Sequence, residues 1–248
     1  MQKTEATPQA ELPLIRRPDP EWLDELPAQD PRAMGSRKDL QRINGLMRHV
    51  PLMVEAWRRN KPDRWIETIV ELGSGDGTFL LKFAQAIAGE SRPFKVLLVD
   101  RVALPEPKTL EGFRELGWEP AVVTSDAFEW LGQAQVTETA FVCNLFLHHF
   151  PQERLKLLLE HSALRASFFL ALEPRRSFAA LAACKFLGLI GCNDVTRHDA
   201  VVSVRAGFRD QEISALWPRR GWYVQEAKAG WFSHSFCAQR FLETPGTA

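Results

Sequence analysis

Four short stretches hold residue types that can do chemistry, and each follows an apolar run. "ELGSGDGTF", Glu71 to Phe79, sets glycines at 73, 75 and 77 with Asp76 among them. "LLVD" ends in Asp100, "TSDAFEW" carries Asp126, and "CNLFLHHF" carries Asn144 and the neighbours His148 and His149. Glycines at alternate positions make a turn that lets a ligand approach the backbone closely. An imidazole, with a reference pKa near 6.5, can take a proton at physiological pH.

The glycine spacing narrows the ligand. A dinucleotide fingerprint, G-x-G-x-x-G, would need its third glycine at position 78, which is Thr78, and the G-K-[ST] of a phosphate loop is absent. Asp76 near the start of the next helix would repel a pyrophosphate. A ligand without phosphate fits better.

These stretches must be positioned by the elements around them. "WIETIVEL", "FKVLLVD", "EPAVVTSD", "TETAFVCNLFLHHF" and "ASFFLALEP" read as strands. "TFLLKFAQAIA", "PKTLEGFRELG" and "PQERLKLLLEHSAL" read as helices between them. Such alternation, with near-continuous apolar strands, predicts a parallel sheet with helices on both faces. "GWYVQEAKAG" and "WFSHSFCAQRF" predict a terminal antiparallel hairpin, and "DQEISALWPRRG" a helix before it. In an open sheet of this kind ligands bind outside the carboxyl ends of the strands, where all four stretches fall.

Upstream, "SRKDLQRINGLMRHV" opens with Ser36 and Asp39 in a variant of the capping box, and Pro51 should split the helix. The chain therefore divides into an extended arm (1–35), cap helices (36–62) and the sheet domain (63–248), with 175–209 as an insertion forming a substrate lid.

Taken together, these motifs resemble the class I, Rossmann-like S-adenosylmethionine (SAM)-dependent methyltransferases of the small-molecule type. The resemblance spans roughly residues 65–173 and the final hairpin, and it implies a doubly wound sheet of order 3-2-1-4-5-7-6. It also implies SAM as cofactor and S-adenosylhomocysteine (SAH) as product. "ELGSGDGTF" matches the family's E/D-x-G-x-G-x-G, so Glu71, Gly73, Ser74, Gly75 and Gly77 would cradle the donor, with Glu71 attracting its ammonium group. Asp100, followed by Arg101, would accept hydrogen bonds from the ribose hydroxyls, as a carboxylate can for vicinal hydroxyls. Asp126 and Ala127 would hold the adenine, and Asn144 and Leu145 the methionine end. In the family a segment similar to the one around Asn44, Met47 and Trp57 covers the active site.

The acceptor is read from what is missing. "NLFL" replaces the [DN]-P-P-[YFW] of many nitrogen methylases, Cys143 lacks the adjacent proline of a cytosine-C5 nucleophile, and no aspartate cluster for magnesium ends the fourth strand. The expectation is metal-independent transfer to a small, aromatic or polyketide-like acceptor at oxygen. His149 is the first choice of base for a phenol or enol, with His148 beside it and His198, followed by Asp199, in the insertion. Each has a bland alternative: His149 could cap the next helix, and His198 could sit in a solvated loop. Arg175 and Arg176 could bind an acidic substrate group, and His234 could close the pocket. Phe178, Phe186, Leu187, Phe208, Trp231 and Phe232 could line an apolar site or form lid core. The rival functions are a nucleic-acid or protein methyltransferase and a non-catalytic SAM-binding module in an assembly.

Composition agrees with an ordinary soluble globular protein. Lysine plus arginine equals aspartate plus glutamate at 31 each, so no global field draws the chain to nucleic acid. No run approaches the roughly 20 apolar residues of a membrane span. Cys143, Cys184, Cys192 and Cys237 form no C-x-x-C pair, which suits free thiols in the cytoplasm.

Overall fold

The computed structural model describes residues 15–60, 66–90 and 94–241. Among the described residues the first helix is a single turn, α1 (Trp22–Glu25), followed by α2 (Pro31–Leu46) and α3 (His49–Arg59). α2 starts earlier than the sequence suggests. The Asp30 carboxylate accepts the Arg32 N–H at 2.7 Å, and Pro31 stands where a missing N–H costs nothing. Ser36 and Asp39 are therefore interior residues of the helix and not its cap. The helix breaks after Leu46, where Arg48 adopts a left-handed φ of 58°, and Pro51 falls in the first turn of α3.

Then β1 (Thr68–Leu72), α4 (Thr78–Ile87), β2 (Lys95–Asp100), α5 (Pro107–Glu115), β3 (Glu119–Thr124), α6 (Ala127–Gln133) and β4 (Thr139–Asn144) alternate. A 3-10 turn (Leu147–His149), α7 (Gln152–Arg165) and β5 (Ala166–Pro174) follow. α8 (Phe178–Cys184), a second 3-10 turn (Leu187–Ile190) and α9 (Asp194–Ala206) make up the insertion, and β6 (Trp222–Ala229) and β7 (Ser233–Arg240) close the sheet. The seven strands run in the order β3-β2-β1-β4-β5-β7-β6, parallel from β3 through β5 and antiparallel at β7 and β6. This is the expected doubly wound sheet with its hairpin. Chain order reverses between β1 and β4, and the crevice there opens at the strands' carboxyl ends.

Side-chain alternation along each strand divides the core. Ile69, Leu98, Val142, Phe168 and Leu170 pack against Trp57, Phe83 and Phe113 of α3, α4 and α5. Their neighbours Val70, Phe141, Cys143, Phe169 and Ala171 pack against α6, α7 and Trp217. All four cysteines are free and buried.

Two segments depart from the sequence reading. Residues 210–216 form turns and no helix, because the Ile213 and Ser214 N–H groups donate to the Glu226 carboxylate at 3.0 and 2.6 Å instead of to a preceding turn. The polar stretch 194–206 is helix α9, capped by Asn193 through the Thr196 N–H at 2.9 Å. α9 holds the N-terminal segment in place. Asp39 accepts from Asn193 N–H (2.8 Å) and Thr196 Oγ1 (3.0 Å), and the two Asp199 oxygens accept the Trp22 and Leu23 N–H groups, each at 2.9 Å.

Candidate functional site

The strand ends create the site by leaving backbone behind. β1 stops at Leu72, and Gly73, Gly75 and Gly77 take φ of 70°, 54° and 70°, a region that costs an L side chain about 1–2 kcal/mol. At Gly73 space matters as well, since a Cβ would lie 2.1 Å from the Phe146 ring. Gly77 caps α4, and Asp76 accepts the Thr78 N–H at 3.0 Å, so this acid is tied to the helix start. Gln41 Nε2 of α2 reaches the other Asp76 oxygen at 2.5 Å and lays the N-terminal helix across the turn.

Beneath α1 and α2 lies a cavity of about 670 Å³. From the first strand end it is lined by Glu71, Gly73, Ser74 and Gly75; from the second and third by Asp100, Arg101, Asp126 and Ala127; from the fourth by Asn144 and Leu145. Of the residues assigned to the donor, Gly77 alone does not line it. Asp100 accepts the Gly75 N–H at 2.9 Å and the Val102 N–H at 3.0 Å, and Asp126 caps α6 through the Phe128 N–H at 2.8 Å. Burial, reinforced by Asp76 and Asp100, pushes the Glu71 carboxyl well above its ordinary value. Glu71 Oε2, Ser74 Oγ and Asn44 Oδ1 are buried on this wall without a hydrogen-bond partner. Asn144 is steadied from behind: its Oδ1 lies 3.0 Å from His49 Nδ1, whose Nε2 lies 3.0 Å from Ser233 Oγ. Burial lowers His49 to about 4 although Asn144 opposes this, and a neutral ring donates to Asn144 and accepts from Ser233.

The far end of the cavity is built by Glu173, at the end of β5. Its fully buried carboxylate accepts the Phe146 and Leu147 N–H groups at 3.0 and 2.8 Å and His148 Nδ1 at 2.8 Å. Glu21, from just before α1, meets His148 Nε2 at 3.3 Å and also takes the Ser203 hydroxyl. Burial alone would lower His148, but the hydrogen bonds to Glu173 and Glu21 outweigh it and lift the imidazole to about 9. Burial would likewise raise both carboxyls, yet the hydrogen bond from His148 holds Glu173 and Glu21 below their usual range. At neutral pH His148 is a cation fixed between two carboxylates. It has no free lone pair for a substrate proton.

His149 differs. Its side chain lines the cavity at 25% exposure, and its Nδ1 lies 3.4 Å from Asp24 Oδ2 of α1. The hydrogen bond from His149, assisted by charge, holds the Asp24 carboxyl down. The arrangement is a carboxylate orienting an imidazole. His148, His149 and Glu21 also bring potential metal-ligand atoms within 4.8 Å of one another.

His198 is not brought to the cavity: its ring stacks on Trp22 with centroids 3.8 Å apart, and its Nδ1 meets Asp199 at 2.8 Å. Arg176 is buried, paired with Glu212 and bonded to the Gly207 carbonyl. His234 is buried on Glu226 at 2.8 Å. Among the apolar candidates Phe208 is core and Trp231 is exposed, and none lines the cavity. Cys143 is buried among the strands, and burial, with Glu173 and Glu71 adding to it, raises its thiol well above the ordinary value, as for a core residue. The residues that sequence reasoning passed over are Glu21, Asp24 and Gln41. Glu21 and Asp24 belong to an arm without periodicity and Gln41 to a cap helix, and only the docking on α9 places them over the strand ends.

Comparison by sequence against protein-family models and against curated proteins finds no match. Among solved structures the chain is similar to the plantazolicin methyltransferase BpumL in complex with SAH, at 11% identity over 86% of this chain and 92% of that one, with TM-score 0.62. It is similar to the plantazolicin methyltransferase BamL in complex with a triazolic desmethylPZN analog and SAH, at 11% identity, 86% and 92% coverage and TM-score 0.60. A third is an O-methyltransferase family protein from Burkholderia thailandensis, at 17% identity, 86% and 61% coverage and TM-score 0.55.

Proposed function

We propose that the chain, which has the class I, Rossmann-like SAM-dependent methyltransferase fold, is a SAM-dependent methyltransferase of a small acceptor, transferring to oxygen without a metal, in the cytoplasm, where its four thiols stay reduced. The observation that carries this is one cavity that gathers Glu71, the glycine turn, Asp100 and Asp126 at one end and the His149–Asp24 pair at the other.

The residues fit the donor. The unpartnered, buried Glu71 oxygen suits an ammonium group, whose charge would also relieve the crowding with Asp76 and Asp100. Asp100 retains lone pairs for two hydroxyls after accepting two backbone N–H groups. SAM, when bound, supplies a methyl group already activated on a positive sulfur. The protein's share is then positioning and proton removal. His149 takes the acceptor's proton, Asp24 orients the ring and stabilises the imidazolium, and α1 and α2 keep water out. Glu21 and Glu173 hold His148, which fixes the backbone that carries His149. The cavity is within the size range of small-molecule sites, which favours a compact acceptor.

Calorimetric titration with SAM and SAH tests donor binding. Asp100→Ala should weaken it at least about ten-fold, the loss of one charge-assisted pair of hydrogen bonds. Undiminished affinity would refute the donor assignment. Labelled SAM screened against phenols and enolic acids, with and without a chelator, tests the acceptor class and metal independence.

A further inference from the structure

Three separate segments meet on one surface outside the cavity. The Arg175 N–H, leading into α8, donates to the Phe232 carbonyl at 2.7 Å and joins α8 to the β6–β7 turn. Phe232, like Leu181 and Leu187, packs against the buried cluster of Ala180, Cys184 and Val204 in the insertion. Arg42 of α2 reaches the Ile190 carbonyl at 3.4 Å, and Gly230 backs onto Leu52 of α3. On this surface stand Phe186, Leu189 and Trp231, 62%, 83% and 82% exposed, with Phe178, Ile190 and Leu46 also open to solvent. Isolated exposed apolar residues are ordinary, but a cluster of large ones on neighbouring segments marks a contact surface.

Within the segments that carry it the charges have one sign. Residues 40–48, 175–191 and 227–235 contain no aspartate or glutamate, in a chain whose acids and bases balance at 31 each. They carry exposed Arg48, Lys185 and Lys228 and half-buried Arg175, besides Arg42, which is paired with Asp39, and the buried Arg176. We propose that this surface docks the protein onto an anionic lipid bilayer, with Phe186, Leu189 and Trp231 entering the interface and Lys185, Lys228 and Arg48 reaching the headgroups. Aromatic and aliphatic side chains among long cations suit that boundary, because the stems lie along apolar surface while the charged ends reach outward. A second copy of the chain fits poorly, since a two-fold contact would set the cations of these segments against their own copies, and the nearby Glu55 and Asp194 are already paired with Arg59 and Arg32. No described helix is long and apolar enough to cross a membrane, so the contact is peripheral. α2 carries Gln41 and Asn44 on the cavity wall and Leu46 on this surface, which places the docked face beside the cavity rim.

The test is flotation of the full chain with vesicles of phosphatidylcholine alone or with added phosphatidylglycerol, alongside sizing in the absence of lipid. The expected result is flotation with the anionic vesicles, weakened by salt. Each lysine near such a surface contributes roughly five-fold in partitioning, so Lys185→Glu with Lys228→Glu should cost at least about 25-fold. Phe186→Ser with Leu189→Ser and Trp231→Ser should abolish flotation while circular dichroism shows the fold intact. Equal flotation with both vesicle types, no flotation, or flotation unchanged in these variants overturns the proposal. So does a dimer on sizing that the serine variant dissociates. Donor binding is measured separately, so failure here leaves the methyltransferase reading untouched.

Discussion

Replacing His148 with glutamine should remove an alkaline limb from the protein's stability. In the folded chain the ring is buried between Glu173 and Glu21 and titrates at about 9, against 6.5 when unfolded. Its raised value means that the stabilisation is complete below pH 6.5 and is lost as pH rises through 9. A displacement of one pKa unit is worth about 1.4 kcal/mol, so the rise to about 9 amounts to about 3 kcal/mol. His49 works the other way. Lowered to about 4, it stays neutral in the fold while the unfolded chain takes up a proton below 6.5, so stability falls between pH 6.5 and 4. Glu21 and Glu173, held low, add to the acid side: their stabilisation is present above the unfolded carboxyl value and lost as pH falls through the folded one. Stability should therefore peak near pH 6.5. Urea denaturation of wild type and His148→Gln from pH 6 to 9.5 checks this. The free-energy difference between the two should shrink by about 3 kcal/mol across that range, whatever its constant offset. The buried cysteines, also raised, affect both proteins equally and cancel. A difference flat to within about 1 kcal/mol would refute the reasoning, because the imidazole would then carry no extra proton in the fold.

Two further outcomes follow from the site. Gly73→Ala should destabilise the protein more than Gly75→Ala in thermal melts: both have positive φ, but only at 73 does a Cβ strike Phe146, at 2.1 Å, and Phe146→Ala should recover part of the gap. Asp24→Asn should lower kcat about ten-fold and leave SAH affinity unchanged by calorimetry, because Asp24 orients His149; equal loss in both would mean that α1 had come away.

Much of the fold was legible because parallel strands write themselves as apolar runs. β1 to β5 all fall where those runs predict, and the glycine turn, Asp100, Asp126, Asn144 and Glu173 stand at or just past their ends. The helix expected over "DQEISALWPRRG" failed because Glu226, a dozen residues on from Ile213 and Ser214, competes for their N–H groups, which no local pattern reveals. His198 looked like a base beside an acid, but Asp199 also caps α1, and the imidazole stacks on Trp22 of that turn. His148 and His149 are identical in type and adjacent, yet one is locked between two buried carboxylates and the other is partly exposed beside Asp24.

The sequence by itself therefore determined the sheet, its order by resemblance, and the cavity wall that carries the glycine turn, Asp100 and Asp126, because these depend on residues adjacent along the chain at strand ends. Tertiary structure alone decided the end of the cavity that holds the histidines. Glu21 and Asp24 lie more than 120 residues before the histidines they pair with. They arrive there because Asp199 and Asp39 draw the N-terminal segment onto α9. Hydrogen bonds between such distant partners leave no period or spacing in the sequence, so the roles of these side chains exist only once the fold has closed.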